Sequence, residues 1–171
     1  MKIYQAPDKI DWYEVAKRKS IFLAGGITGC KNWQKDLIDE LQRLRELGLF
    51  DLGGLVIFNP RRDDFDIENP NATVEQIKWE HKCLEKCDMC SFFFPASNTV
   101  QPITLYELGK YQNCKPVIIG IEDGYLRTED VVIQCALDQC FCTVYSDYID
   151  AIREHARALA ITYDDMRRNR T

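Results

Sequence analysis

The sequence predicts an α/β protein with a doubly wound, mostly parallel sheet of five strands and helices on both faces. Short apolar runs of strand length alternate along the chain with longer segments whose apolar residues recur at helical spacing. The first two core runs end in turn-forming pairs, Gly25-Gly26 and Asn59-Pro60. The 171 residues suffice for one domain with a sizeable core, so we predict a single domain over residues 1–171.

Five apolar runs are predicted to be the core strands, and they are Ser20–Ala24, Leu55–Phe58, Met89–Phe94, Pro116–Gly120 and Cys142–Tyr145. Residues Lys2–Ala6 could add a short edge strand before them.

Helices are predicted between these strands. The first covers Trp33–Leu47, with Asn32 as its N-cap and Gly48 at its end. The second begins near Thr73, because Thr73 and Gln76 fit the capping-box pattern. The remaining three are predicted to carry Glu107, to cover about Thr128–Asp138 and to cover Asp147–Tyr163.

Composition and charge narrow the class of protein. Hydrophobic residues make up 46% and charged residues 29%, which is typical of a globular domain. The net charge of −5 argues against a nucleic-acid partner, since affinity for phosphates depends on clustered Lys and Arg. No apolar run is long enough to cross a membrane, and the N-terminus lacks the apolar core of a signal peptide, so we expect a cytoplasmic protein without a membrane partner.

The eight cysteines are expected to be free thiols, because the chain is large and has no export signal. Cys83, Cys87 and Cys90 are spaced closely enough to be considered as metal ligands, but no second Cys pair or His pair completes a set of four. Buried small apolar side chains are the simpler interpretation. We therefore expect no metal site at these cysteines.

Polar and glycine-rich segments follow three of the predicted strands. In a doubly wound sheet such segments meet at the carboxyl edge, where ligands bind. The glycines allow a ligand to approach the backbone, although neither GxGxxG nor GKS/GKT is present and a dinucleotide or ATP is poorly supported. The three segments are Gly25–Gly29, Asn59–Asp64 and Pro95–Asn98, and Glu107 follows the last of them early in a helix.

Two interpretations stay open for the second segment, which contains Arg61, Arg62 and Asp63. Its guanidinium and carboxylate groups suit a hydroxyl-rich or phosphorylated ligand, but they also suit a surface cluster of ion pairs. Glu80, on the helix before the third core strand, is by itself most simply a solvated helix residue.

Taken together, these segments resemble the nucleoside 2-deoxyribosyltransferase family, in its branch of short transferase-like proteins, from about residue 20 to 120. The resemblance rests on their order and spacing, and the matching pieces are Ile21–Ile27, Trp33, Phe58–Asp63, Gln76–Glu80, Asp88, Phe94-Pro95 and Pro102–Gly109. It implies a flavodoxin-like (Rossmann-like) sheet and an active site around the Glu of the Glu-Leu-Gly sequence. It also implies a homo-oligomer in which a neighbour helps to close the pocket.

The resemblance implies roles for individual residues. Glu107 corresponds to the family's nucleophile, which attacks C1′ of a deoxyribosyl group. Glu80 stands eight residues before Asp88, where the family has a carboxylate that contacts the base or protonates it. Gln101 replaces an Asp that better-known members carry six residues before the nucleophile, so proton handling or the base must differ. The expected substrate-binding residues are Gly25, Gly26, Thr28, Arg61, Arg62, Asp63, Asp88, Asn98 and Gln101, although Asp88 also suits an ordering role at the start of its strand.

The expected function is that of a nucleoside 2-deoxyribosyltransferase, which cleaves the N-glycosidic bond of a 2′-deoxynucleoside and passes the sugar from Glu107 to another base. An N-hydrolase acting on a nucleoside or its 5′-monophosphate, with water as acceptor, is the alternative enzyme. A non-catalytic nucleotide-binding module is the alternative outside enzymes. The expected partners are therefore a nucleoside or nucleotide and a free base, and this chemistry requires no metal and no organic cofactor.

Overall fold

The computed structural model describes residues 1–62 and 70–169 of the chain, and a parallel sheet lies at its centre. Within those residues the sheet has six strands in the order β1-β3-β2-β4-β5-β6. The strands are β1 (Lys2–Gln5), β2 (Ser20–Gly25), β3 (Val56–Asn59), β4 (Met89–Phe94), β5 (Val117–Glu122) and β6 (Cys142–Tyr145). The predicted number of five is wrong by one, because β1 pairs in parallel with β3 and extends the sheet at its edge.

Six helices are found in the described residues. They are α1 (Trp12–Val15), α2 (Trp33–Glu46), α3 (Pro70–Lys86), α4 (Pro102–Tyr111), α5 (Thr128–Leu137) and α6 (Tyr148–Arg168). The four-residue α1 was not anticipated, and α6 continues beyond Tyr163 to Arg168.

Helices cover both faces of the sheet, as predicted. Side chains of β4 alternate between the two faces. Cys90, Phe92 and Phe94 pack on the face covered by α1, α3, α4 and α5. Met89 and Phe93 pack on the other face, which α2 and α6 cover. Without β1 the strand order is flavodoxin-like, and the chain reverses direction across the sheet between β2 and β4. The fold therefore places its ligand crevice at the carboxyl ends of these two strands.

The start of α2 confirms one predicted cap, and the start of α3 corrects another. Asn32 Oδ1 accepts a hydrogen bond from the backbone N–H of Lys35, at 3.2 Å. Thr73 is not a cap, because α3 already begins at Pro70 and Thr73 lies inside the helix. Gln76 therefore has another partner, described below.

The cysteines are all free thiols, and Cys83, Cys87 and Cys90 are buried in the core. Over residues 1–62 and 70–169 no group of three or more His, Cys, Asp or Glu side chains is arranged to hold a metal ion. Nor does this described part of the chain contain a helix with the length and apolarity needed to cross a membrane.

Candidate active site

A pocket of about 490 Å³ opens at the carboxyl edge of the sheet, between α3 and α4. Its volume is in the range of small-molecule sites. The floor comes from the end of β2 and the turn after it, and the walls come from the residues after β3 and β4 and from the two helices. Glu80 on α3 and Glu107 on α4 both line this pocket. No Lys, Arg or His is among the described residues that line it.

The turn at the floor requires Gly25. A Cβ added there would lie 2.3 Å from the carbonyl oxygen of Phe93 and 2.5 Å from the ring of Trp33. The indole Nε1 of Trp33, the first residue of α2, donates a 2.9 Å hydrogen bond to the carbonyl oxygen of Gly26. This hydrogen bond fixes the turn against α2. Backbone can therefore approach a ligand at this point without intervening side chains.

Glu107 lies on the second turn of α4 and is partly buried against the pocket. Burial raises the pKa of its carboxyl group to about 8, and the charge of Glu80 adds to the rise. Among the described residues its carboxyl group has no hydrogen-bond or ion-pair partner. A carboxyl group in this setting holds its proton at neutral pH until a second group takes it.

Glu80 lies across the pocket on α3 and is held by Gln76, one helical turn earlier. Gln76 Nε2 donates to Glu80 Oε1 at 2.7 Å and to the carbonyl oxygen of Pro60 at 2.6 Å. Burial raises the pKa of Glu80, and the hydrogen bond from Gln76 opposes that rise. Two carboxyl groups in one cleft whose surroundings differ can divide the roles of nucleophile and acid.

Gln101 is the residue at which the chain turns into α4. Its backbone has φ 49° and ψ 56°, the left-handed conformation, and Pro102 then begins the helix. Its Nε2 donates to the carbonyl oxygen of Pro95 at 2.9 Å and to Ser97 Oγ at 3.3 Å. Its Oε1 is buried and has no partner among the described residues. The side chain thus fixes the loop after β4 beside the pocket.

The structure brings together more than half of the site residues that the sequence predicted. Those that line the pocket are Gly25, Gly26, Thr28, Glu80, Gln101 and Glu107.

Arg61 has a different place, since its guanidinium group binds the loop between β2 and α2. Nη1 donates to the carbonyl oxygen of Lys31 at 2.9 Å and to Gln34 Oε1 at 3.3 Å, and Nη2 donates to the carbonyl oxygen of Cys30 at 3.2 Å. The side chain therefore joins two loops at the carboxyl edge, outside the pocket lining. Arg62 also lies outside the lining, with Nη1 3.4 Å from Glu75 Oε2.

Asp88 and Asn98 are also separated from the pocket lining. Asp88 lies at the amino end of β4, on the opposite edge of the sheet, where its Oδ2 accepts from the N–H and Oγ of Ser20 and its Oδ1 pairs with Lys19 at 2.9 Å. These contacts fit the ordering role at the strand start. Asn98 is exposed, and the next residue, Thr99, lines the pocket instead. Asp63 lies outside the described residues.

Sequence reasoning missed the part of Gln76 in the site. Gln76 and Glu80 are four residues apart, a spacing that places them on one face of a helix, and this spacing could have revealed the contact. The contact with Pro60 had no such local pattern. Apolar residues that also line the walls, Ile77 and Ile103, were not singled out either.

Two comparisons with known proteins bear on the family of the chain. None of the curated proteins that were compared with the chain matches it. The model of a family described as "Nucleoside 2-deoxyribosyltransferase like" matches residues 18–125, more than half of the chain. The match runs from before β2 to beyond β5 and thus includes every pocket-lining residue named above. The chain therefore belongs to the nucleoside 2-deoxyribosyltransferase-like family.

Proposed function

We propose that this protein is a nucleoside 2-deoxyribosyltransferase in which Glu107 is the nucleophile and Glu80 is the general acid. The observation that carries the proposal is that these two carboxyl groups face one pocket at the carboxyl edge of the sheet. Retaining cleavage of a glycosidic bond needs this pair of functions, one carboxylate to form the intermediate and one acid for the leaving group.

The first half of the reaction forms a covalent intermediate. The ionised carboxylate of Glu107 attacks C1′ of the deoxyribosyl group as the bond from C1′ to the base nitrogen breaks. The bonding electron pair leaves with the base, and the proton of the Glu80 carboxyl group goes to that base. The products are a glycosyl ester on Glu107 and a neutral free base.

The second half reverses these steps with another base. A nitrogen of the incoming base attacks C1′, the ester bond to Glu107 breaks, and Glu80 takes back a proton. Burial, and after it the charge of Glu80, raises the pKa of Glu107, which supports a pocket that holds a proton at neutral pH. In this proposal that one proton serves both steps without exchange with solvent.

The pocket lining supports an uncharged sugar. Its described part includes two carboxyl groups and no cationic side chain, a poor setting for a 5′-phosphate. Of the nearby cations, Arg61 is bound to backbone carbonyls, and Lys31 Nζ pairs with Glu122 at 3.3 Å and lies over the ring of Tyr148. Substrate binding is assigned in this proposal to Gly25, Gly26, Thr28 and Gln101.

The test is chromatography of the purified protein with 2′-deoxyinosine, with and without free cytosine or adenine. The proposal expects a new deoxynucleoside that forms only when the acceptor is present. Hypoxanthine released equally without an acceptor would identify an N-hydrolase instead. Thermal stabilisation by the nucleoside without any product would identify a binding module.

We also propose that the protein is a homo-oligomer, as its family resemblance implies. Large apolar side chains lie exposed on the two helices beside the pocket, where Ile77 is 58%, Ile103 64% and Tyr106 69% accessible. Light scattering measures the mass in solution, and a mass equal to one chain would contradict this part of the proposal.

A further inference from the structure

Gln76 is joined to Glu80 and to the end of β3 by both N–H groups of its side-chain amide. The two acceptors are Pro60 O, at 2.6 Å, and Glu80 Oε1, at 2.7 Å. Neither oxygen can donate when Glu80 is ionised, so the nitrogen of the amide must face both. The other amide atom, Gln76 Oε1, is buried and has no partner among the described residues. The orientation of this side chain is therefore fixed by its surroundings.

The two carboxyl groups of the pocket differ in the hydrogen bonds that they receive. Glu80 receives a hydrogen bond at one oxygen, whereas Glu107 receives none from the described residues. A hydrogen bond to the charged form favours that form, and burial without one favours the neutral acid.

We infer that Gln76 is a positioning residue for the reaction: it fixes the orientation of the Glu80 carboxylate and keeps it ionised in the free protein, so that the shared proton of the pair lies on Glu107. The proton then reaches Glu80 only when a ligand occupies the pocket. The assignment of Glu80 as the acid rests on the proposed function, but the hydrogen bond and its effect on Glu80 do not.

The other charged and titratable groups around the pair are few. Those of the described residues that act on it or adjoin Gln76 are Cys83 and Glu75 on α3, Cys90 on β4, Lys110 on α4 and Arg62 after β3. Burial raises the pKa of the Cys83 thiol, and a hydrogen bond with Cys87 followed by burial raises the pKa of the Cys90 thiol, so both stay neutral. A hydrogen bond with Tyr111 and another with Glu85 raise the pKa of Lys110 to about 12. Arg62 and Glu75 pair with each other. None of these five neighbouring groups is expected to change its charge over the pH range in which Glu80 and Glu107 titrate.

The test is a titration of Glu80 by NMR of ¹³C-labelled glutamate carboxyl groups, with the resonance assigned through Glu80→Gln. In Gln76→Met, which has nearly the same size but no donor, the midpoint of Glu80 should rise by about one pH unit. The low-pH limb of kcat/KM should move in the same direction, while its maximum falls by about tenfold or more.

Gln112→Met is the matched control. Gln112 Nε2 donates to Asp138 Oδ2 at 2.6 Å, the same type of contact at a place outside this pocket. This variant should keep the wild-type midpoint of Glu80. Gln76→Glu is the second test variant, because an ionised carboxylate cannot donate and adds negative charge, and its midpoint should rise further than that of Gln76→Met.

The possible outcomes separate this inference from the proposed function. An unchanged Glu80 midpoint in folded Gln76 variants overturns the inference, even if transfer activity is found. Lower activity with an unmoved low-pH limb also overturns it, because a merely structural role has that result. A raised midpoint in a protein that turns over no nucleoside supports the effect of Gln76 on the Glu80 carboxylate and removes the proposed function.

Discussion

Gly26 lies directly against the side chain of Gln101. A Cβ on Gly26 would lie 2.6 Å from Gln101 Cδ, 2.7 Å from Gln101 Oε1 and 2.7 Å from Cys30 Sγ. Because the amide of Gln101 is tied to Pro95 and Ser97, it cannot move aside without loss of those hydrogen bonds. The turn after β2 and the loop after β4 are thus in contact through a glycine that has no room for a side chain.

Gly26→Ala is therefore expected to displace Gln101 and to distort the pocket floor. We expect a loss of about 1–3 kcal/mol in the free energy of unfolding and at least about a tenfold loss of kcat/KM. Gly109→Ala is the matched control, since a Cβ at this helical glycine meets nothing within 4 Å. That control should gain about 0.5–1 kcal/mol, because alanine favours a helix over glycine. Thermal unfolding and turnover of both variants give the answer, and an unaffected Gly26→Ala protein would contradict the contact.

Much of the fold could be predicted because the core strands are almost completely apolar. β2 and β4 are buried along nearly their whole length, so they stand out as continuous apolar runs between turn residues. β1 was only a possible strand, since it is four residues long and half of it is exposed. Its place in the sheet depends on pairing with β3, more than fifty residues away, which no local pattern shows.

The candidate site also contains residues that could be predicted from the sequence and residues that could not. The Gly25-Gly26 turn and Glu107 could be predicted at the pocket because each follows the end of a core strand. Glu80 was singled out only through the family resemblance, from its place eight residues before Asp88. The role of Arg61 stayed open, because two of its three acceptors are backbone carbonyls, of Cys30 and Lys31, which no sequence pattern indicates. The start of α3 was misplaced because Thr73 and Gln76 fit a capping pattern by chance, while the helix begins at Pro70.

Glu107→Gln tests the nucleophile and its burial at once. Loss of the carboxylate should lower kcat by more than about a thousandfold, and no glycosyl adduct should form on the protein. The exposed Glu129→Gln on α5 is the control and should retain wild-type turnover. Turnover at the wild-type rate by Glu107→Gln would end its assignment as nucleophile.

The same Glu107→Gln protein is expected to be more stable than the wild type near pH 8. The pKa of Glu107 is about 8 in the folded protein, whereas the ordinary value of 4.5 applies to the unfolded chain. Between pH 4.5 and pH 8 the unfolded chain therefore loses a proton that the folded chain keeps. Wild-type stability therefore falls as pH rises through this window, by on the order of 4 kcal/mol up to pH 8, and the glutamine removes that loss. The two proteins should have the same Tm near pH 4 and should diverge up to pH 8. Parallel curves of Tm against pH would show that Glu107 ionises normally.

A 5′-phosphate is expected to weaken the substrate. With 2′-deoxyinosine and its 5′-monophosphate compared under the same conditions, kcat/KM for the monophosphate should be lower by about a hundredfold. The pair of Glu80 and Glu107 carries a negative charge that repels a phosphate, and the described lining offers no cation. Steady-state rates at several salt concentrations check this, since screening should narrow the difference. A preference for the monophosphate would leave glycosidic cleavage intact and would make Arg62 the first residue to replace.

His155 should make the protein sensitive to acid. It is fully buried under the sheet, with Nε2 2.8 Å from Ser91 Oγ, while Nδ1 has no partner among the described residues and Gly120 lies beside it. Burial lowers its pKa from 6.5 to about 3. Between pH 6.5 and about pH 3 the unfolded chain therefore binds a proton that the folded chain does not bind. The free energy of unfolding falls progressively as the pH is lowered through this range. By pH 4 the loss from this one group is about 3 kcal/mol.

His155→Gln removes the titrating ring and keeps a polar partner for Ser91. Its stability at pH 7 should be lower than that of the wild type, because a smaller side chain leaves space beside Phe93. Its stability should nevertheless fall less steeply between pH 6.5 and 4, by about 3 kcal/mol over the interval. His81→Gln, at an exposed position of α3, is the control and should keep the wild-type slope. Urea unfolding at several pH values measures these slopes, and an equal slope in His155→Gln and wild type would mean that the buried ring accepts its proton without unfolding.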